Sequence, residues 1–353
     1  MNVGLVGCGV VAHNYVKGAA AFAGFDVVAC ADVSAKAAEA FGVTYDLQVL
    51  PPDELVADPA IDIVLSLTPP SVHADVVRAA FAHGKHVYTE KPLAAELDDA
   101  RALVADAASH GLRIGCAPDT FLGSAYEAGR ELIERGAIGE PLGATARFLV
   151  GGPDNWHPNA DMFYGVGGGP LLDIGPYYLT AIASLLGSYT TATGLASTPT
   201  PVRTLGVGPR AGEDFTVEVP TYVVGALRLE TDALVTLTVS FEAGEQYESA
   251  LIVHGSEGAL ELPDANQFEG EVRVRAARGD WETVAYEGRG AQDTRGCGLQ
   301  ELVEALQADR PHRASGELGL HVLEAAHAIL RSADEGRAVD IESRLAPARA
   351  EAR

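Results

Sequence analysis

The stretch Val3-Gly4-Leu5-Val6-Gly7-Cys8-Gly9-Val10-Val11-Ala12 decides the reading of this chain. Its apolar start reads as a buried strand, and Gly7-x-Gly9-x-x-Ala12 reads as a G-x-G-x-x-A turn opening a helix. Gly7 permits the tight turn. Gly9 lets a pyrophosphate approach the helix N-terminus, where N–H groups without intrahelical partners and the helix dipole favour an anion. Ala12 is small enough for helix to meet strand. Asp32 closes the next strand, where a carboxylate accepts hydrogen bonds from an adenosine ribose. The bland alternative is a βα turn with no ligand; the strand, helix and acidic residue around the glycines favour a dinucleotide. The charge of Asp32 repels a 2′-phosphate, which favours NAD over NADP, although Lys36 lies a few positions further on. Gly7, Gly9, Val10, Val11 and Asp32 form this first set of cofactor-binding residues.

Outward from this turn, apolar runs alternate with helical patterns as far as residue 118: Val3–Val6, Asp26–Ala31, Ile61–Leu67, His86–Tyr88 and Leu112–Ala117. Such alternation predicts an α/β fold, an N-terminal Rossmann domain (1–118) with a doubly wound parallel sheet. The rhythm then changes. Helical patterns near 123–136 and 170–186 precede alternating segments at Thr145–Val150, Thr221–Leu229, Leu234–Phe241, Ala250–His254 and Val272–Ala276. Helical periodicity returns at Leu299–Gln307 and Glu317–Ser332. Residues 119–342 therefore read as a C-terminal α+β domain with a large, mostly antiparallel open sheet, and 343–353 as a frayed tail.

A length of 353 residues suits two domains of ordinary size, and 47% hydrophobic with 21% charged residues suits a compact protein. The net charge of −24 argues against nucleic acid and anionic membrane surfaces as partners. No apolar run is long enough to span a bilayer, and the N-terminus lacks the pattern of a secretory signal, so a cytoplasmic location is expected. The four cysteines lack metal-ligand or disulfide-framework spacing, which suits reduced, buried thiols. No His/Asp/Glu grouping has metal-ligand spacing, so a metal-free reaction is expected.

Three further stretches carry chemistry. Thr68-Pro69-Pro70, with His73 shortly after, follows a strand at the carboxyl edge where ligands bind in such sheets; read blandly, the prolines only end the strand. Glu90-Lys91-Pro92 ends the next strand and brings a cation to the same edge, or else forms a solvated Lys–Glu pair. Gly167-Gly168-Gly169-Pro170-Leu171-Leu172-Asp173-Ile174-Gly175-Pro176-Tyr177 reads as a flexible, close-approach loop followed by a helix. Asp173 and Tyr177, four apart, would share one face of that helix. They would present a carboxylate and a phenol to one ligand, or serve as a first-turn acid and a core ring; physics alone leaves the two readings even. Trp156 and His157 suit a sugar-binding pocket or ordinary packing, and Asp119 and Phe121 follow a strand where the domains would meet.

Gly7–Ala12, Thr68-Pro69-Pro70 with His73, Glu90-Lys91-Pro92 and Gly167–Tyr177 occur in the order seen in the glucose–fructose oxidoreductase/inositol dehydrogenase (Gfo/Idh/MocA) family. The chain resembles that family over essentially its whole length, including Gly255-Ser256-Glu257-Gly258 in a turn of the strand-rich region. The resemblance implies an NAD(P)-dependent oxidoreductase acting on CH–OH groups of sugars, sugar derivatives or cyclitols. It also implies a homodimer or homotetramer through the open sheet. Carried over by motif, Lys91 contacts cofactor and reacting hydroxyl, Asp173 orients the substrate, and Tyr177 stands where many members carry a histidine acid/base. Sugar oxidoreductases and dihydrodiol dehydrogenases of the family resemble this chain in having Tyr there, which points away from an inositol dehydrogenase. Two other readings remain open: a redox-neutral, NAD-recycling glycosidase or epimerase, and a non-catalytic nucleotide-binding sensor. Intact Lys91, Asp173 and Tyr177 argue against the sensor.

Overall fold

Ile63-Val64-Leu65-Ser66 is buried at every residue, as a strand covered on both faces must be, and it takes a central place in the first sheet. The computed structural model describes residues 1–244 and 246–346. In chain order its strands and helices begin with β1 (Asn2–Val6), α1 (Val10–Ala19), β2 (Asp26–Ala31), α2 (Ala35–Tyr45), β3 (Gln48–Val49) and α3 (Pro52–Ala57). There follow β4 (Ile63–Ser66), α4 (His73–Ala82), β5 (His86–Thr89), α5 (Leu97–His110), β6 (Ile114–Cys116), α6 (Ser124–Glu134) and β7 (Pro141–Leu149). Next come α7 (Gly169–Asp173), α8 (Gly175–Leu186), β8 (Tyr189–Ser197), β9 (Val202–Thr204), β10 (Asp214–Thr216), β11 (Tyr222–Leu229) and β12 (Leu234–Ser240). The series closes with β13 (Glu248–Gly255), β14 (Gly258–Leu262), β15 (Arg273–Ala276), β16 (Glu282–Thr283), α9 (Cys297–Gln307), α10 (Gly316–Glu335) and β17 (Val339–Asp340).

Two compact units result: Met1–Gly123 with Gly288–Leu320, and Ser124–Glu287 with His321 onward. In the first, six parallel strands run in the order β3-β2-β1-β4-β5-β6, the doubly wound order that reverses direction between β1 and β4. Local chemistry agrees with the elements: Ser34 caps α2 by accepting from the Ala37 N–H, and Gly111, at φ 65°, ends α5. Gly288–Leu320, which the change of rhythm after residue 118 would assign to the second domain, belongs to this unit. The Cys116 N–H donates to the Ala314 carbonyl (2.9 Å), and Gly115 bridges to Ser315, so this returning segment covers the outer edge of β6.

The second unit holds a nine-stranded sheet in the order β16-β15-β14-β13-β7-β12-β11-β8-β17; β7 and β12 run parallel, and all other neighbours run antiparallel. β11 alternates exposed and buried residues along its length, as a sheet with one open face requires. On the covered face Gly194 and Gly225 make room for α10: a Cβ at Gly194 would lie 2.3 Å from the Ile329 carbonyl oxygen. The tail is docked further than the expected fraying from 343. The Ser343 N–H donates to Glu324 (2.8 Å) and the Leu345 N–H to the Ser188 hydroxyl (2.9 Å), because these backbone groups find buried acceptors. Residues 347–353 of that tail lie outside the described residues. Among the described residues no helix is long and apolar enough to cross a membrane, and no cluster of His, Cys, Asp and Glu could hold a metal ion.

Candidate active site

Gly7, at φ 101°, turns the chain at the carboxyl end of β1, and a Cβ there would stand 2.7 Å from the Leu67 carbonyl. Only glycine meets both conditions. Gly9 precedes α1 with nothing within 4 Å of where its Cβ would sit, and it is exposed together with Val10 and Val11. That open approach to a helix N-terminus fits a pyrophosphate. Asp32, at the end of β2, is aimed by two backbone donors, the Cys8 N–H (2.8 Å) on Oδ2 and the Ser34 N–H (2.8 Å) on Oδ1. Each carboxylate oxygen keeps a further lone pair for a ribose hydroxyl. Val33 beside it is 98% exposed, an apolar platform suited to an adenine ring. The residues present therefore fit NAD. All four cysteines are buried free thiols, and burial pushes Cys8 up to about 12, so it packs rather than reacts.

Thr68 and Pro69 follow β4, and Glu90 and Lys91 follow β5, at the same carboxyl edge as Gly7 and Asp32. Glu90 turns back into the unit: Oε1 accepts from the Tyr15 hydroxyl of α1 (2.9 Å), and Oε2 from the Lys91 N–H (3.0 Å). The Lys91–Pro92 peptide is cis. His73, expected among the cofactor-binding residues, has no exposed surface, and its ring nitrogens face the Pro92 and Thr68 carbonyls at 2.7 Å each. It binds protein backbone rather than a ligand, because α4 carries its ring inward. Desolvation pulls its pKa below the usual range, against the two carbonyls and Glu90, which favour the cation.

Asp119 and Phe121, expected to line a substrate cleft, are buried. The Asp119 carboxylate accepts from the Gly296 (2.9 Å) and Gly298 (3.3 Å) N–H groups at the start of α9 and pairs with Arg295 (3.2 Å). It anchors the returning segment, since an anion is favoured where a helix presents unpaired N–H groups. Sequence reasoning missed this partnership, as it missed Tyr15; glycines at 296 and 298 were its one visible trace. A Cβ at Gly298 would meet the Tyr88 hydroxyl at 2.1 Å.

In the second unit the glycine loop packs closely at Gly168 and Gly169, while Gly167 has open space beside it. Gly167 and Gly169 both have φ of 84°, and a Cβ at Gly168 would lie 2.5 Å from the Phe163 carbonyl oxygen. Pro170 takes the first turn of α7. Asp173 ends α7, and Tyr177 belongs to α8, so the single helix expected for the pair is two. Pro176 has no N–H to continue the α-helical ladder, and the Tyr177 N–H bonds to Ile174 (3.0 Å) in the tighter i−3 pattern. Asp173 is half-buried and Tyr177 is 8% exposed.

Trp156 is 67% exposed, and half-buried His157 lies edge-on to Trp156 (5.6 Å) and to Phe163 (5.0 Å). His157 Nδ1 accepts the Asn159 N–H (3.2 Å), which leaves Nε2 as the donor position of a neutral ring. This loop is held from beneath by Arg203, which pairs with Asp154 (2.9 Å) and Glu242 (2.9 Å) and stacks over Tyr164 (5.0 Å). Sequence reasoning missed Arg203.

Residues 1–117 match the family described as "Oxidoreductase family, NAD-binding Rossmann fold", and 126–261 match its "GFO/IDH/MocA C-terminal domain". The chain is 28% identical over 352 residues to 1,5-anhydro-D-fructose reductase of Ensifer adhaerens, covering 97% of this chain and 99% of the other. It is 25% identical to inositol 2-dehydrogenase of Rhizobium meliloti (strain 1021), covering 96% and 98%. A solved NAD-binding oxidoreductase from Klebsiella pneumoniae superposes with a TM-score of 0.85 at 25% identity, covering 97% and 99%. With the strand order, the aimed Asp32 and both halves matched, this chain belongs to the Gfo/Idh/MocA family of oxidoreductases.

Proposed function

We propose that this protein transfers hydride between a carbinol carbon of a sugar, sugar derivative or cyclitol and NAD. The observation that carries the reading is its full-length likeness to relatives named for such substrates, 1,5-anhydro-D-fructose and inositol, with Lys91, Asp173 and Tyr177 all in the family's motifs. Gly7, Gly9, Val10, Val11, Asp32, Thr68 and Pro69 hold and frame the cofactor, which supplies the hydride acceptor when bound; Glu90, expected beside them, holds the Lys91 backbone instead. As hydride leaves carbon, the attached hydroxyl must lose its proton, or a protonated carbonyl accumulates. Tyr177, acting as its phenolate, takes that proton and becomes the neutral phenol, and the Lys91 ammonium stabilises the negative charge that develops on the substrate oxygen. Asp173 accepts hydrogen bonds from a neighbouring hydroxyl and orients the ring, with Trp156 and His157 as further substrate contacts.

The test is a panel of 1,5-anhydro-D-fructose, aldoses, glycosides and inositols with NAD(H) and NADP(H), following both cofactor absorbance and product. Tyr177→Phe and Lys91→Ala should each lose at least ~100-fold in kcat while NADH still binds. Near-normal turnover in Tyr177→Phe removes it from the base role; product without net NADH marks a recycling enzyme instead.

The open sheet face supports self-association. Thr193, Ala226, Thr236, Thr145 and Ile252 lie in register across five adjacent strands, small or apolar throughout, and Leu195 nearby is 76% exposed. A homodimer or homotetramer formed through this face is the assembly proposed.

A further inference from the structure

The peptide that carries Lys91 is held on both sides. On its N-terminal side the Lys91 N–H donates to Glu90 Oε2 (3.0 Å), while Glu90 Oε1 accepts from the hydroxyl of Tyr15 (2.9 Å), a buried residue of the helix that opens at the glycine turn. On its C-terminal side the Pro92 carbonyl faces His73 Nδ1 (2.7 Å), and the same ring's Nε2 faces the Thr68 carbonyl (2.7 Å) where β4 ends. Lys91 is thus held to α1 through Glu90 and Tyr15, and is followed by a carbonyl against the His73 ring of α4, whose other nitrogen faces the end of β4. None of the three bracing side chains has a surface role that would explain this arrangement: Tyr15 is 1% and His73 0% exposed, and Glu90 spends both oxygens on the brace.

We infer that Tyr15, Glu90 and His73 are positioning residues that set the Lys91 ammonium against the nicotinamide end of bound NAD. The inference rests on the role given to Lys91 under the proposed function. The bracing side chains are not the groups offered to the pyrophosphate and ribose, which are Gly7, Gly9 and Asp32. Loosening the brace should therefore lower the rate more than the affinity, because a displacement of about 1 Å at a reacting centre costs on the order of 100-fold.

The chain has only four lysines, Lys17, Lys36, Lys85 and Lys91, so trace acetylation with acetic anhydride can be read at each by mass spectrometry, with exposed Lys17 and Lys36 as internal standards. In the wild type NAD should protect Lys91 from acetylation several-fold. Tyr15→Phe and His73→Gln should keep the NADH Kd within about threefold by fluorescence titration, yet lose most of that protection and roughly 10- to 100-fold in kcat with 1,5-anhydro-D-fructose or the best substrate of the panel. His73→Leu, which leaves both carbonyls without a polar partner, should lose more than His73→Gln, whose amide N–H can still reach one of them. Full protection and full kcat in Tyr15→Phe and His73→Gln overturn the brace while leaving the role of Lys91 intact. Loss of NADH binding in step with kcat also overturns it, by making these residues cofactor contacts. Equal acetylation of wild-type Lys91 with and without NAD sinks the underlying reading and the brace with it.

Discussion

Gly7 and Gly9 lie two residues apart and serve different ends. Gly7 has a positive φ and a backbone carbonyl against its α-carbon, so Gly7→Ala should cost about 1–3 kcal/mol of stability and lower Tm by several degrees. Gly9 has open space and an extended conformation, so Gly9→Ala should leave Tm unchanged while raising the NADH Kd. Calorimetry and fluorescence titration separate the two; a Tm loss in Gly9→Ala would contradict the assignment. The placement of these glycines, Asp32 and Lys91 at the carboxyl edge of the parallel sheet was legible because each occupies a spacing whose geometry is local: a turn, a strand end, a helix start. Asp119 and His73 were not, because a polar residue after a strand or in a first helical turn looks the same whether it faces a ligand or a buried backbone group. The partners of Asp119 come from Arg295, Gly296 and Gly298, far along the chain, and no periodicity announces them.

Among the elements, the buried runs of the parallel sheet and the strict alternation of β11 were readable because burial on two faces and on one face leave different patterns. β8 was not. Its Tyr189-Thr190-Thr191-Ala192-Thr193-Gly194 carries threonines and a glycine where an apolar alternation would be read, since Gly194 must be bare to admit α10. The first residue of β8 also sets a pH response. The Tyr189 N–H donates to His321 Nε2 (2.9 Å) on α10, and the ring stacks on Tyr189 at 5.4 Å. Burial, which desolvates the charged ring, pulls His321 down from 6.5 to about 4; Glu324 and the Ser343 contact oppose the fall and Arg344 adds to it. The native state thus binds fewer protons than the unfolded chain between these values. Stability from this group is complete above pH 6.5 and declines on acidification towards 4, by at most on the order of 3 kcal/mol. His321→Gln, able to accept the same N–H, should flatten the fall in Tm between pH 7 and pH 5; parallel curves would rule the mechanism out.

At the scale of the whole molecule, a net charge of −24 works against association of like chains, so assembly through the open face should strengthen with salt over the range where charge repulsion is screened. Thr236→Arg, placing a charge in the middle of the small-residue row, should shift sedimentation towards a monomer without changing Tm of the isolated chain. An unaltered sedimentation coefficient would move the interface elsewhere. The segment Gly288–Leu320, which rejoins the first unit after the whole of Ser124–Glu287, has a consequence for biosynthesis. As the ribosome releases the chain from its N-terminus, β6 waits with a bare edge and Asp119 without Arg295 until the second unit has been translated. Through that interval the first unit exposes an unpaired strand edge, the feature through which unfinished sheets pair with neighbouring chains.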